Sequence, residues 1–266
     1  MSLQTPEFWV VIPAAGCGSR MQQSTAKQYL ELSGRKVIEY SLERFSQDQE
    51  IRGIIIVTDD DETVLPIIEK FQQSYPKIHF QITRGGAERA DSVRLGLKAV
   101  KTLSTNDNVW VLVHDAARPC LTTTDLTRLK LSTKTFSEGA ILAAPIVDTL
   151  KQIKHSRITE THNRQLFMRA LTPQMAPLKL LSEAVEHCQK NNVLITDEAQ
   201  ALETFGASVG VVEGRHDNIK ITYPEDLALA EFILKQQASE LESSTVKRNA
   251  FSNDTDNTGN SDRMKK

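Results

Sequence analysis

Short apolar runs rich in β-branched residues alternate with stretches of helical periodicity along most of the chain. Residues 8–13, 53–58, 79–83, 109–114, 139–147 and 208–213 read as strands, and most are apolar throughout, as parallel strands covered on both faces are. Between them, residues 37–47, 61–73, 90–102, 123–135, 177–191, 197–204 and 224–236 carry helical patterns, several opened by Asp, Thr or Pro. Regular alternation of the two predicts an α/β fold with a doubly wound, mostly parallel sheet between two helical layers. Residues 150–169 break the rhythm. They are polar, alternate weakly, and hold five Lys or Arg side chains and two histidines, so they are expected to leave the sheet as an extended β-arm. The expected domain is 1–236. From 237 to 266 large apolar residues almost vanish, and a disordered polar tail is expected because so little surface could be buried against the ordering entropy.

A chain of 266 residues is long enough for one substantial core without disulfide or metal staples. Net charge is -2, from 32 basic and 34 acidic residues, so no global field favours nucleic acid or an anionic membrane. An anionic ligand must be met by local groups. Cys17, Cys120 and Cys188 are odd in number and far apart, which argues against a disulfide framework or thiolate metal site and fits a reducing cytoplasm. No apolar run approaches membrane-spanning length, and the N-terminal residues lack an export-signal pattern.

The first predicted strand runs into Ala14-Ala15-Gly16-Cys17-Gly18-Ser19-Arg20-Met21. Small residues let backbone N–H groups approach phosphate oxygens, and Arg20 adds a charge there. Met21 stands where a dinucleotide fingerprint needs its third glycine, and the chain lacks a GxxxxGK[ST] motif, so NAD and P-loop readings fall away. Lys27 places a second cation on the same connection. Asp115 follows the apolar run 109–113, at the carboxyl end of an expected parallel strand, where ligands collect in open α/β sheets. His114 has no partner at ligand spacing and reads as structural.

Pro13 to Met21, followed by Lys27-Gln28-Tyr29-Leu30, resembles the loop of the sugar-phosphate nucleotidyltransferases, and within them that of the 2-C-methyl-D-erythritol 4-phosphate cytidylyltransferase family. The resemblance continues in order through Gly85 to Ser92, Val113 to Pro119, Ala144-Pro145 with Asp148-Thr149, Ala170 to Gln174, Thr196-Asp197-Glu198 and Val212 to Lys220. Ala26 and Ala87 depart from the family pattern. The resemblance implies transfer of CMP from CTP to a polyol phosphate with release of pyrophosphate, in non-mevalonate isoprenoid synthesis. By the same resemblance Arg20, Lys27 and Lys220 are the catalytic cations. Ala14, Ala15, Gly16, Gly18, Gly85, Gly86, Glu88, Ser92 and Ala116 hold the nucleotide. Thr149, Arg164 and Thr172 bind the acceptor, and Asp115 and Asp217 ligate Mg²⁺, a hard cation suited to carboxylate and phosphate oxygens. The family also implies a homodimer whose arm completes the neighbour's site. Arg89 and Asp91 also read as capping and pairing groups on the following helix, and for Asp91 the two readings are equally good. A ribitol 5-phosphate cytidylyltransferase and a non-catalytic nucleotide-binding module on the same scaffold remain as alternatives.

Overall fold

The computed structural model describes residues 5–16 and 25–256, with the backbone alone for residue 242 and residues 244–256. Gly18 and Arg20 therefore lie outside the described residues. Seven strands form the central sheet: β1 (Glu7–Pro13), β4 (Ile51–Thr58), β5 (His79–Arg84), β6 (Val109–Val113), β7 (Ala140–Pro145), β10 (Met168–Pro177) and β11 (Gly210–Glu213). Their spatial order is β11-β7-β10-β6-β1-β4-β5. β10 alone runs antiparallel to its neighbours, so the sheet is mostly parallel.

Alternation along β1 shows why such strands are apolar throughout. Val10 and Ile12 enter one buried cluster, Trp9 and Val11 the other, as the two-residue side-chain period of a strand requires. Helices α1 (Val37–Ser46), α2 (Asp61–Ser74) and α4 (Thr123–Leu131) supply the first cluster; α3 (Arg89–Leu103), α5 (Leu178–Lys190) and α6 (Glu198–Phe205) supply the second. Asp60, Thr122 and Asp197 accept backbone N–H groups at the starts of α2, α4 and α6, the capping that their sequence positions predict.

Sequence patterning did not predict β10. Pro173 and the polar Thr172 and Gln174 look like a turn, and proline is rarely tolerated inside a paired strand. The structure accommodates them by interrupting the ladder to β7 between Ala170 and Gln174. The expected arm is a hairpin, β8 (Leu150–Lys154) against β9 (Arg157–His162), forming a separate two-stranded sheet. A second short hairpin, β2 (Glu31–Leu32) with β3 (Arg35–Lys36), precedes α1.

The last helix, α7 (Glu225–Asp256), continues past the expected boundary at 236. Ala230 and Ile233 pack into a third cluster with Leu32, Val37, Cys120 and Ile221. Beyond the boundary, Gln237 is 5% exposed and donates to Cys120 O at 3.0 Å, and Glu240 meets Arg215 at 3.1 Å. The docked part of the chain thus reaches at least Glu240. Among the described residues no helix is long and apolar enough to cross a membrane.

Removal of residues 244–266 is expected to leave the melting temperature and turnover unchanged. Ending the chain at Gln236 removes one buried hydrogen bond and one ion pair, and should lower Tm by about 2–4 °C in scanning calorimetry. An unchanged Tm for the shorter chain would show that the end of α7 does not dock.

Candidate active site

Three loops at the carboxyl ends of parallel strands close around a cavity of about 280 Å³. The first leaves β1 through Ala14, Ala15 and Gly16. Its path is fixed by Gln28, which is 3% exposed and donates through Nε2 to Ala14 O at 2.6 Å and Gly16 O at 3.0 Å. That side chain ties the loop to the short 3-10 turn Lys27–Tyr29, and so holds Lys27 at the cavity wall.

The second loop joins β5 to α3 through Gly85 and Gly86. A Cβ on Gly85 would lie 2.3 Å from Ala15 Cβ, and one on Gly86 would lie 2.3 Å from Asp91 Cβ. Only glycine permits this closeness, so the pair is required by packing. Gly86 N donates to Ser92 Oγ at 3.1 Å, and Glu88 N to Asp91 Oδ2 at 3.3 Å. Asp91 is a capping group.

The third loop follows β6 and carries Asp115, whose side chain is 10% exposed. A carboxylate so placed requires compensation. Oδ1 faces Arg89 at 3.3 Å; Oδ2 faces Arg118 at 3.3 Å and Lys220 at 2.9 Å. Burial acts to raise the pKa of Asp115, but the charges of Arg89, Lys220 and Arg118 outweigh it and hold the carboxyl well below the usual carboxylate range. Arg89 is itself gripped by Glu198, at 2.6 Å and 3.1 Å through two parallel bonds, the strongest geometry for such a pair. Arg118 Nη1 donates to Asn218 O at 2.9 Å. Three cations set against Asp115 and Glu198 leave one positive charge, and on the wall Lys27 is offset by Glu88.

Beneath Asp115 runs a chain of hydrogen bonds: Asp115 N to Thr172 Oγ1 at 3.1 Å, Thr172 Oγ1 to His114 Nδ1 at 3.0 Å, and His114 Nε2 to Arg118 O at 3.1 Å. Every group finds a partner with His114 neutral and its proton on Nε2. The ring is buried edge-on against Phe45 at 5.2 Å. It supports Asp115 and has no access to a reacting group.

The fold therefore brings Ala14, Ala15, Gly16, Lys27, Gly86, Glu88, Ser92, Asp115, Ala116 and Lys220 to one cavity, with Gly85 packed behind its wall. It separates the rest. Thr172, expected at the acceptor, is 4% exposed and committed to His114 and Asp115. Asp217, expected as a metal ligand, is off the cavity wall, and both of its oxygens meet Arg215, at 2.9 Å and 2.6 Å. Thr149 and Arg164 are exposed at the arm, where Arg164 Nη1 donates to Val147 O. Among the described residues no cluster of three or more His, Cys, Asp or Glu side chains could hold a metal. Sequence reading assigned no site role to Gln28, Arg118 or Glu198. The one local signal was Arg118, three residues after Asp115; Glu198 is 109 residues from Arg89.

This geometry suits an α/β nucleotidyltransferase: glycine-loosened loops able to receive a base and phosphates, with the cations Lys27, Arg89 and Lys220 on the wall. Comparison with known proteins narrows the class. The family model described as IspD, 2-C-methyl-D-erythritol 4-phosphate cytidylyltransferase, matches residues 8–236. The protein of that name from Tolumonas auensis is 45% identical over 237 residues, spanning 88% of this chain and 99% of the relative. The one from Photobacterium profundum is 43% identical over 244 residues, spanning 89% and 100%. The crystal structure of the Francisella tularensis protein superposes with a TM-score of 0.71 at 32% identity, covering 85% of this chain and 99% of that one. The chain belongs to the 2-C-methyl-D-erythritol 4-phosphate cytidylyltransferase family.

Burial pushes the His114 imidazole down to about 4. An unfolded histidine titrates near about 6.5, so below that value the unfolded chain binds the extra proton. Stability from this group is fully present above about pH 6.5 and is lost as pH falls toward 4, by up to about 1.4 kcal/mol per pH unit. His114→Gln should flatten that slope in urea titrations. Identical slopes for both proteins would mean that His114 does not titrate as its burial requires.

Proposed function

We propose that this protein transfers the CMP group of CTP to 2-C-methyl-D-erythritol 4-phosphate, releasing pyrophosphate, as a step in isoprenoid precursor synthesis. The observation that carries this reading is the Asp115 carboxylate, shared among Arg89, Arg118 and Lys220 on one wall of a cavity that also presents Lys27 and the Gly86 turn. An oxygen of the acceptor phosphate attacks the α-phosphorus of CTP, the new P–O bond forms, and the bond to the pyrophosphate oxygen breaks in line. A phosphate monoester has its second pKa near about 6, so the nucleophile is already ionised near neutrality. No side chain need remove a proton, which agrees with the buried, neutral His114.

Catalysis then consists of positioning and charge neutralisation. Lys27 and Lys220 hold the triphosphate oxygens, with Arg20 contributing from the glycine loop. Backbone and hydroxyl groups at Ala14, Ala15, Gly86 and Ser92 receive the base. Asp115 fits Mg²⁺, because Oδ1 meets only Arg89 and this ion commonly binds through one carboxylate plus phosphate oxygens. Asp217 does not fit, since it is off the wall of this cavity and is paired with Arg215. When bound, the metal would neutralise triphosphate charge.

Neither Thr149 nor Arg164 lines the cavity of its own chain. The arm also exposes Ile153 and Ile158, at 68% and 64%, and Leu166 at 79%. Apolar surface of this kind is a usual mark of an interface, and a two-fold dimer is the commonest way to cover it. In this reading a second copy covers the arm, and Arg164 of one chain clamps the acceptor phosphate in the other. Free, buried Cys120 and Cys188 thiols accord with a cytoplasmic setting.

Pyrophosphate release with each of four nucleoside triphosphates, against 2-C-methyl-D-erythritol 4-phosphate and ribitol 5-phosphate, tests the proposal. Turnover is expected only for CTP with the erythritol phosphate, and Lys220→Ala should lower kcat about 100-fold. Preference for ribitol 5-phosphate, or no release with any pair, would overturn the reading. A loss under about threefold would remove Lys220 from the catalytic set.

A further inference from the structure

A guanidinium on the wall of a phosphate site ordinarily turns its fork of donors onto the phosphate. Arg89 is on the wall of the Asp115 cavity, yet each of its three nitrogens is bonded to a carboxylate. Nη1 and Nη2 donate to Glu198 Oε1 and Oε2 at 2.6 Å and 3.1 Å, and Nε donates to Asp115 Oδ1 at 3.3 Å. Glu198 itself is 3% exposed and is not part of the wall, so it meets the contents of the cavity only through Arg89. Its own footing is fixed. Gln174, 2% exposed on β10, donates through Nε2 to Asp197 Oδ2 at 3.0 Å and accepts from Ala199 N through Oε1 at 2.8 Å. The residues before and after Glu198 are thus bonded to one buried amide of the central sheet.

This support has a consequence for the charge that phosphates meet. Among the described residues, Lys27, Arg89, Arg118 and Lys220 are set against Glu88, Asp115 and Glu198, which leaves one positive charge. Without Glu198 there would be two, and the best-aimed nitrogens of Arg89 would be open to the cavity. A pyrophosphate product keeps much of the charge of the triphosphate it came from. Extra attraction shared equally by substrate and product adds nothing to the chemical step and slows the product's departure. We infer that Glu198 is a positioning residue that holds Arg89 against Asp115 and off the phosphates, so that the cavity takes up CTP without retaining pyrophosphate. The inference rests on the proposed reading of this cavity as the triphosphate site.

Calorimetric titration of the full chain with pyrophosphate, in the presence of chelator, tests it. Pyrophosphate should bind Glu198→Gln at least about fivefold more tightly than wild type, since one screened unit of charge is added beside it. Loss of packing alone would weaken binding. Glu198→Asp keeps the charge, and with it the buried pair, but is one methylene too short for both bonds, and should show a smaller gain in the same direction. The double variant Arg89→Met/Glu198→Gln removes the whole pair and should bind pyrophosphate no more tightly than wild type, because the gain acts through Arg89. No gain in either single variant, or a gain in the double variant equal to that of Glu198→Gln, would overturn the inference and leave the functional reading standing. Failure of wild type to bind either CTP or pyrophosphate would overturn both.

Discussion

A carboxylate at the end of β6, withdrawn from water, cannot remain charged without cations beside it, and Asp115 draws those cations from three separate parts of the chain. Arg89 comes from the start of α3, Arg118 from the turn after β6, and Lys220 from the segment beyond β11. Each is then fixed by something further out. Glu198 at the start of α6 grips Arg89, and Asn218 binds Arg118 through its carbonyl and Thr172 O through its amide, at 2.8 Å. The starts of α3 and α6, the end of β6, the middle of β10 and the loop after β11 therefore meet around one charge. In the absence of substrate the cations neutralise Asp115; a triphosphate entering the cavity presents further negative charge to the same groups. A site built this way is organised before the ligand arrives, and preorganised charge is the largest contribution available to a phosphoryl or nucleotidyl transfer.

The backbone around the site is held by a different kind of contact. Gln28 fastens the β1 loop by bonding two of its carbonyls, and Gly85 and Gly86 let the β5 loop close onto Ala15 and Asp91. The Thr172 and His114 chain fixes the Asp115 N–H from below. These groups touch no reacting atom in the proposed mechanism. They set where the N–H groups, the lysines and the carboxylate point.

Much of this was legible in the sequence because it depends on local pattern. Apolar runs and helical periods gave the parallel strands and all seven helices within a few residues, apart from the far end of α7. A strand followed by small residues and Lys27, and a carboxylate at the end of an apolar run, marked two walls of the cavity. Pairings across large sequence distances left no such mark. Glu198 and Arg89 meet only because α3 and α6 pack on the same face of the sheet. β10 was hidden by Pro173, whose missing N–H the interrupted ladder tolerates. Thr172 and Asp217 carry chemistry suited either to ligands or to internal bonds, and in this structure they bond to His114 and Arg215. Composition placed the end of the domain at 236, but Gln237 and Glu240 carry contacts with the rest of the chain further along α7.

In the proposed mechanism Asp115 shares its cations with the triphosphate and is the carboxylate through which Mg²⁺ would assist. Calorimetric titration of CTP, with chelator and with Mg²⁺, into wild type and Asp115→Asn tests it most directly. With chelator, the variant should bind CTP more tightly than wild type, because its cations are released to the triphosphate and a like charge is gone. Added Mg²⁺ should then strengthen CTP binding to wild type and leave the variant nearly unchanged. Weaker binding by the variant under chelation, together with an equal gain from Mg²⁺ in both proteins, would contradict it.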